Sequence, residues 1–151
     1  MKPSTGVWMA GLVLALVAVL PATAKQTEQW TADYPLPVGG RVSVANVQGS
    51  IWVEGWDRAE VELTVKKSAE GAGARLSDVE IIVEPHGDSL AVETHYGGTA
   101  DELVIVDYCL RVPRQVRLEG LHTVNGDITV HNVEGFVEAQ TLNGNVKQTG
   151  V

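Results

Sequence analysis

Four histidines, one cysteine, a surplus of acids and Trp52 are the residues of this chain that could do chemistry. His86 and His95 flank one polar turn, and His122 and His131 flank an Asn-Gly pair. A zinc site needs ligands that converge, commonly as i, i+4 histidines on a helix or as paired thiolates. Neither histidine pair has that spacing, and Cys109 has no second thiolate. Calcium-binding repeats place Asp at every corner. Here the corresponding position holds Ser50, then Asp127, then Asn145, so the carboxylate is not repeated. Glu60 and Glu62 share one strand face and fit a solvated surface, and no repeated column of acids suggests polysaccharide cleavage. No Gly-x-Ser-x-Gly elbow, phosphate loop or dinucleotide fingerprint is present. The expectation is a protein that is not an enzyme, with no metal and no cofactor.

Trp52 stands apart. It holds the outward position that Thr129 and Lys147 hold in two later segments. An exposed indole on a flat sheet can stack on a sugar or a partner side chain. Alternatively, it packs beneath the Pro35–Pro37 segment or an N-terminal cap. Trp56 aligns with Val133, which places it in the core.

The elements that position these residues follow from a repeat. Val124-Asn125-Gly126-Asp127-Ile128 returns as Leu142-Asn143-Gly144-Asn145-Val146, an offset of 18 positions. A looser copy, Val47-Gln48-Gly49-Ser50-Ile51, lies 77 positions before the first. A repeat this short cannot bury its own apolar face, so copies must stack. One coil of a β-solenoid fits that length. Gly126 and Gly144 then fall at one corner of successive coils, where positive φ is expected. Asn125 and Asn143 form a side-chain ladder beside them, and Asp127 stacks on Asn145 and so avoids a second carboxylate. The competing arrangement is a plain Asn-Gly hairpin at each site.

The chain has 151 residues, and those before Lys25 carry one charge, Lys2. An apolar run from Val7 to Leu20 precedes the small-x-small sequence Ala22-Thr23-Ala24. Residues 1–24 therefore read as a signal peptide cleaved after Ala24, with an uncleaved membrane anchor as the competing reading. Residues 25–151 form one domain. Without Lys2, 10 basic residues face 19 acidic ones, a formal charge of −9. Such a surface repels nucleic acid and anionic lipid. Export exposes the lone Cys109 to an oxidising compartment in which it has no partner within the chain. No Cys follows the cleavage point, where a lipoprotein would need one.

Alternation predicts strands near 29–34 (at an edge), 41–45, 49–53 and 59–67, with Val61, Leu63 and Val65 inward. Residues 55–58 read as a turn, 67–77 and 96–102 as loops, and 79–95 as a hairpin turning at Pro85–Asp88. Leu103–Val112 is the longest apolar run and reads as a central strand ended by Pro113. A short strand at 116–118 precedes the repeats. The fold class is all-β: a β-solenoid-like stack of short strands with an N-terminal antiparallel portion.

Four features together resemble the bacterial β-strand-repeat putative adhesin family of envelope proteins. They are Pro37 to Val44; Gly49-Ser50-Ile51-Trp52-Val53-Glu54-Gly55-Trp56-Asp57 leading into Val61–Lys67; Leu110-Arg111-Val112-Pro113; and the two Asn-Gly repeats. The resemblance covers about residues 29–151. It implies an exported, right-handed, solenoid-like domain without established catalysis and supplies no catalytic residues. Members of this family usually run through more repeats, whereas Val151 falls inside the second one. More repeats, or a covering partner, are therefore expected.

The functional expectation is an exported adhesin-like binding domain, in the periplasm, at the cell surface or outside the cell. Its partner is a glycan or a protein of the envelope or exterior, with no nucleic acid. The alternatives are a structural module that assembles through its open coil end, self-association included, and last a carbohydrate-active enzyme. At that end, Asn145–Gln148 carries only Lys147 as a guard against edge pairing.

Overall fold

The computed structural model describes residues 14–18, 26–69, 75–97 and 104–150. The cleavage point after Ala24, most of the loop read over 96–102 and Val151 lie outside the described residues. Within the stretch read as a leader, Leu14–Ala18 forms a strand, β1.

The remaining strands are β2 (Gln26–Pro35), β3 (Arg41–Ala45), β4 (Ile51–Trp56), β5 (Glu60–Ala69), β6 (Val79–His86) and β7 (Ser89–Tyr96), followed by β8 (Val104–Pro113), β9 (Arg117–Asn125), β10 (Ile128–His131), β11 (Val137–Asn143) and β12 (Val146–Thr149). They form two mixed sheets, a seven-stranded one ordered β1-β2-β5-β8-β4-β10-β12 and a five-stranded one ordered β11-β9-β3-β7-β6. The fold is all-β, as the alternation predicts.

Strand pairs recur at matched places. In β7–β8, β3–β4, β9–β10 and β11–β12 the first strand lies in the five-stranded sheet and the second in the seven-stranded one. These four levels stack in that order through parallel pairings. Antiparallel strands flank the β7–β8 level: β5, β2 and β1 extend one sheet, and β6 the other. β9 and β10 lie in different sheets, so Asn125-Gly126 crosses between sheets and does not close a hairpin.

The inward faces of the β7–β8, β3–β4 and β9–β10 levels are apolar. Val42 and Val44 from β3, Ile51 and Val53 from β4, Val92 from β7, Leu110 from β8, Leu121 from β9 and Ile128 from β10 join one buried cluster. β5 adds Val61, Leu63 and Val65. Burying each such side chain contributes about 1.5–3 kcal/mol, which supplies the apolar burial a single short level lacks.

Several boundaries differ from the sequence reading. β4 runs through Gly55 and Trp56, so the turn begins only at Asp57. β5 extends to Ala69, and Lys67 is buried because its Nζ donates to the Val79 carbonyl at 2.8 Å and lies 3.7 Å from Glu28. In the 151-residue chain β1 pairs outside β2, so β2 becomes the edge of its sheet only where residues 1–24 are removed. β8 is central in its sheet, yet its outward face is wet: Ile105 is exposed and Cys109 half-buried.

Candidate functional site

Two regions carry the candidate residues: the outward face of the seven-stranded sheet and the corner where the β3–β4, β9–β10 and β11–β12 levels cross between sheets.

On the outward face, register sets the rows. Thr64, Cys109, Trp52, Thr129 and Lys147 lie side by side on β5, β8, β4, β10 and β12. The next row on this face is Glu62, Arg111, Glu54, His131 and Thr149. Arg111 sits between two carboxylates, with Nε 3.8 Å from Glu54 and Nη1 3.9 Å from Glu62. His131 Nδ1 and Thr149 Oγ1 are hydrogen-bonded at 2.7 Å. Trp52 is 36% exposed, so part of it is open to solvent on this face.

Trp56 shares this face, and its placement in the core is corrected. β4 stays regular to its end, so parity sends Trp56 outward with Trp52 and Glu54. In the later level the left-handed residue Asn132 (φ 59°) breaks that parity and turns Val133 inward. The Trp56 ring is held by Arg58 and Arg111, whose guanidinium carbons lie 4.8 and 5.9 Å from its centroid. Its indole N–H donates to the Glu60 carbonyl at 2.8 Å. The ring walls an open cleft of about 540 Å³ shared with Val38, Pro113, Arg114 and Glu134. Along β4 the two indoles are four residues apart, roughly 13 Å at strand rise, with a carboxylate between them.

Burial pushes the Cys109 thiol up, with Glu62 and Glu54 adding to that effect and Arg111 opposing it. A thiol held protonated is a weak nucleophile. Among the described residues no cluster of three or more His, Cys, Asp or Glu side chains could hold a metal ion.

At the corner, Gly126 and Gly144 occupy successive levels, but neither has positive φ. The expectation of a left-handed corner is corrected for both. Their requirement is proximity. A Cβ on Gly126 would lie 1.9 Å from the Gly49 carbonyl oxygen, and one on Gly144 would lie 2.0 Å from that of Gly126. Gly49 combines both demands, with φ 136° and its Cβ position 1.8 Å from the Val106 oxygen. Each glycine therefore lets one level close onto the carbonyl beneath it.

Three side-chain ladders run beside this column. Thr123 Oγ1 donates to the Gly49 carbonyl at 3.0 Å, and Thr141 Oγ1 donates to that of Gly126 at 2.8 Å. Asn46 Nδ2 does the same for Val106 at 2.8 Å. The Ser50 and Asn145 amides donate to the carboxylates of Asp107 and Asp127, both at 2.9 Å. Asn143 Nδ2 donates to Asn125 Oδ1 at 2.7 Å. Sequence reasoning placed Asn125, Asn143, Gly126 and Gly144 here but missed Asn46, Thr123, Thr141 and Asp107. The signal was present: Asn46, Thr123 and Thr141 each stand three positions before a corner glycine.

Behind the corner, Tyr108 hydrogen-bonds Thr94 in the partly buried interior. Burial pushes its hydroxyl well above the usual tyrosine range; the Thr94 bond works the other way and Tyr96 adds to the rise. An unfolded tyrosine ionises near pH 10. The stability this site contributes is therefore intact below about pH 10 and is lost as pH rises toward the folded value. Tyr108→Phe should flatten that alkaline loss, read as a smaller drop in the urea midpoint between pH 9 and 11 than the parent shows. An equal drop would show that Tyr108 does not govern it.

Fold and site together define an all-β domain of two mixed sheets with a polar, tryptophan-bearing outer face. No family model matches the chain, and no curated protein matches it. Among solved structures, a putative cell adhesion protein from Clostridium sporogenes is distantly similar, with 9% identity and a TM-score of 0.40. The match covers 78% of this chain and 57% of that one, so this chain spans little more than half of that protein's length.

Proposed function

We propose that this chain is an exported, non-enzymatic, adhesin-type binding domain on a β-solenoid scaffold. Its binding surface is the outward face of the seven-stranded sheet. The four stacked levels support the solenoid reading, each level being one coil. The observation that carries the binding reading is the placement of Trp52 and Trp56 on one outward face, with Glu54 between them and Arg111 and His131 in adjoining strands. Indole faces stack on the C–H faces of sugars, while carboxylate, guanidinium and imidazole groups take hydroxyls. A neutral or weakly basic glycan chain is the ligand class this arrangement fits, since the row holds more carboxylates than fixed cations. Residues 25–151 on a glycan array should bind at least one extended glycan, and Trp52→Ala should weaken that binding tenfold or more, as loss of an aromatic anchor does. Equal binding by parent and variant, or none by the parent, would sink the reading.

A second reading, an assembly module, is favoured by one observation. The last strands of both sheets, β11 and β12, carry exposed Leu142 (74%) and Val146 (47%), with Phe136 (47%) beside them. Exposed edge strands of low charge invite pairing. Light scattering on residues 25–151 tests it: mass that grows with concentration supports assembly through this end, and loss of that growth in Val146→Lys would locate it.

A further inference from the structure

The cleft beside Trp56 is built differently from the row that holds Trp52. Its walls come from four chain segments: Val38 before β3, Trp56 and Asp57 where β4 ends, Pro113 and Arg114 where β8 ends, and Glu134 after β10. Backbone bonds tie three of these segments together. The Arg114 amide donates to the Trp56 carbonyl at 3.2 Å, and the Glu134 and Gly135 amides donate to the Arg114 carbonyl at 2.7 and 3.2 Å. The walls are therefore set before a ligand arrives, which lowers the cost of binding. A volume of about 540 Å³ lies within the range of small-ligand sites, roughly 300–1,000 Å³. Arg58 already lies over the Trp56 ring, 4.8 Å from its centroid, so this indole is a wall of the cleft more than a free stacking face.

Two kinds of group line it. One is apolar: the exposed Val38 at the lip, with Pro113 and the Trp56 ring. The other is a half-used ion pair, in which Arg114 Nε donates to Asp57 Oδ1 at 2.7 Å. Among the described residues neither side chain makes another hydrogen bond, so the Nη groups of Arg114 remain donors and Asp57 Oδ2 remains an acceptor. Charge is balanced, with Arg58 and Arg114 against Asp57 and Glu134. A carboxylate on a ligand would meet two acids, and an amine would meet two guanidinium groups. A neutral group that donates and accepts side by side, and ends in a small apolar tip, meets neither penalty. An acetamide is such a group: its N–H suits Asp57, its carbonyl suits Arg114 and its methyl suits Val38.

We infer that this cleft reads the acetamido group of an N-acetylated amino sugar, which makes the outward face selective for glycans built from N-acetylhexosamines. This rests on the glycan reading and names its sugar class. Acetylated lysine carries the same chemistry on a protein. Trp52, further back along β4 on the same face, favours the sugar, because a glycan chain engages both places at once.

The test is calorimetric titration of residues 25–151 with oligomers of glucose, glucosamine and N-acetylglucosamine, all of one linkage and one length. They differ only in the group at one ring carbon: hydroxyl, amine or acetamido. The acetylated oligomer should bind at least tenfold more tightly than the glucose oligomer, because a site built to hydrogen-bond a group rejects the analogue that lacks it. The glucosamine oligomer should gain nothing over glucose. Arg114→Met should lower the ratio of acetylated to glucose affinity several-fold. Val38→Ser should lower it too, at a position exposed enough that folding is not at stake. If the three oligomers bind alike, the cleft does not read the acetamido group, and this inference fails while the glycan reading stands. If the preference survives in both variants, it arises elsewhere and the inference again fails. If none of the three binds, the inference is overturned whatever glycan the array returns. Binding of an acetyl-lysine peptide without binding of the oligomers would assign the cleft to a protein ligand and overturn the sugar class.

Discussion

Gly49→Ala should remove about 4 kcal/mol or more of folding stability, a large share of the roughly 5–15 kcal/mol a domain has. The added Cβ would sit 1.8 Å from the Val106 oxygen and 2.6 Å from its carbonyl carbon. Both are backbone atoms fixed in a central strand, so no side-chain rotation relieves the contact. Parting the levels would strain the hydrogen bonds from the Val106 amide to Gln48 (2.8 Å) and from the Tyr108 amide to Ser50 (2.9 Å). The φ of 136° adds conformational strain that glycine alone avoids. Gly126→Ala meets the Gly49 oxygen at 1.9 Å without the φ term, so it should cost somewhat less. Gly144→Ala should cost least of the three, because only the last level must lift. Gly87→Ala is the control: φ is 58° but nothing lies within 4 Å, so about 1 kcal/mol is expected. Urea unfolding of the four variants decides the matter. If Gly126→Ala falls no further than Gly87→Ala, close approach is not what the corner glycines provide.

That ranking also marks where the sequence was sufficient and where it was not. The offset of 18 positions located the corner and named its residues. It did not distinguish positive φ from close approach, because both demands select glycine and leave the same spacing. Similarly, alternation placed Val61, Leu63 and Val65 inward, since a period of two reports which face a residue is on. It does not report which strand lies alongside. Nothing local in Ser89–Pro113 says that its two strands stack beneath β3–β4, a segment that precedes them in the chain. The same limit explains Trp56. Its alignment with Val133 was correct as a count, but one left-handed residue, Asn132, shifts the parity of one copy and not of the other. The binding face thus combines a residue the pattern revealed, Trp52, with one it hid. The residues three before each corner glycine were legible in principle. Threonine in a strand already has an ordinary explanation in β-propensity, which conceals the second role of Thr123 and Thr141.

Asn46→Leu tests how much of the stacking depends on such polar residues. Asn46 is buried at the end of β3, where four elements meet. Its Nδ2 donates to the Val106 carbonyl at 2.8 Å, its Oδ1 accepts from Thr94 Oγ1 at 3.0 Å, and its backbone amide donates to His122 at 2.8 Å. Thr94 in turn bonds the Tyr108 hydroxyl, so one side chain ties β3 to β7 and β8. Leucine keeps the volume and removes the polar atoms. The Val106 carbonyl and the Thr94 hydroxyl then each lose a buried partner, and leaving buried groups unsatisfied costs about 1–3 kcal/mol apiece. The expected loss is roughly 2–4 kcal/mol, larger than that of Thr123→Val, which removes one hydroxyl donor shared between the Gly49 carbonyl at 3.0 Å and the Val47 carbonyl at 3.4 Å and should cost about 1–2 kcal/mol. Thr94→Val completes a double-mutant cycle. Because Asn46 and Thr94 share one network, the paired loss should fall short of the sum of the single losses by more than about 0.5 kcal/mol. Full additivity in urea unfolding would mean that the two groups act separately. A leucine variant as stable as the parent would mean that apolar packing alone holds the first two levels together.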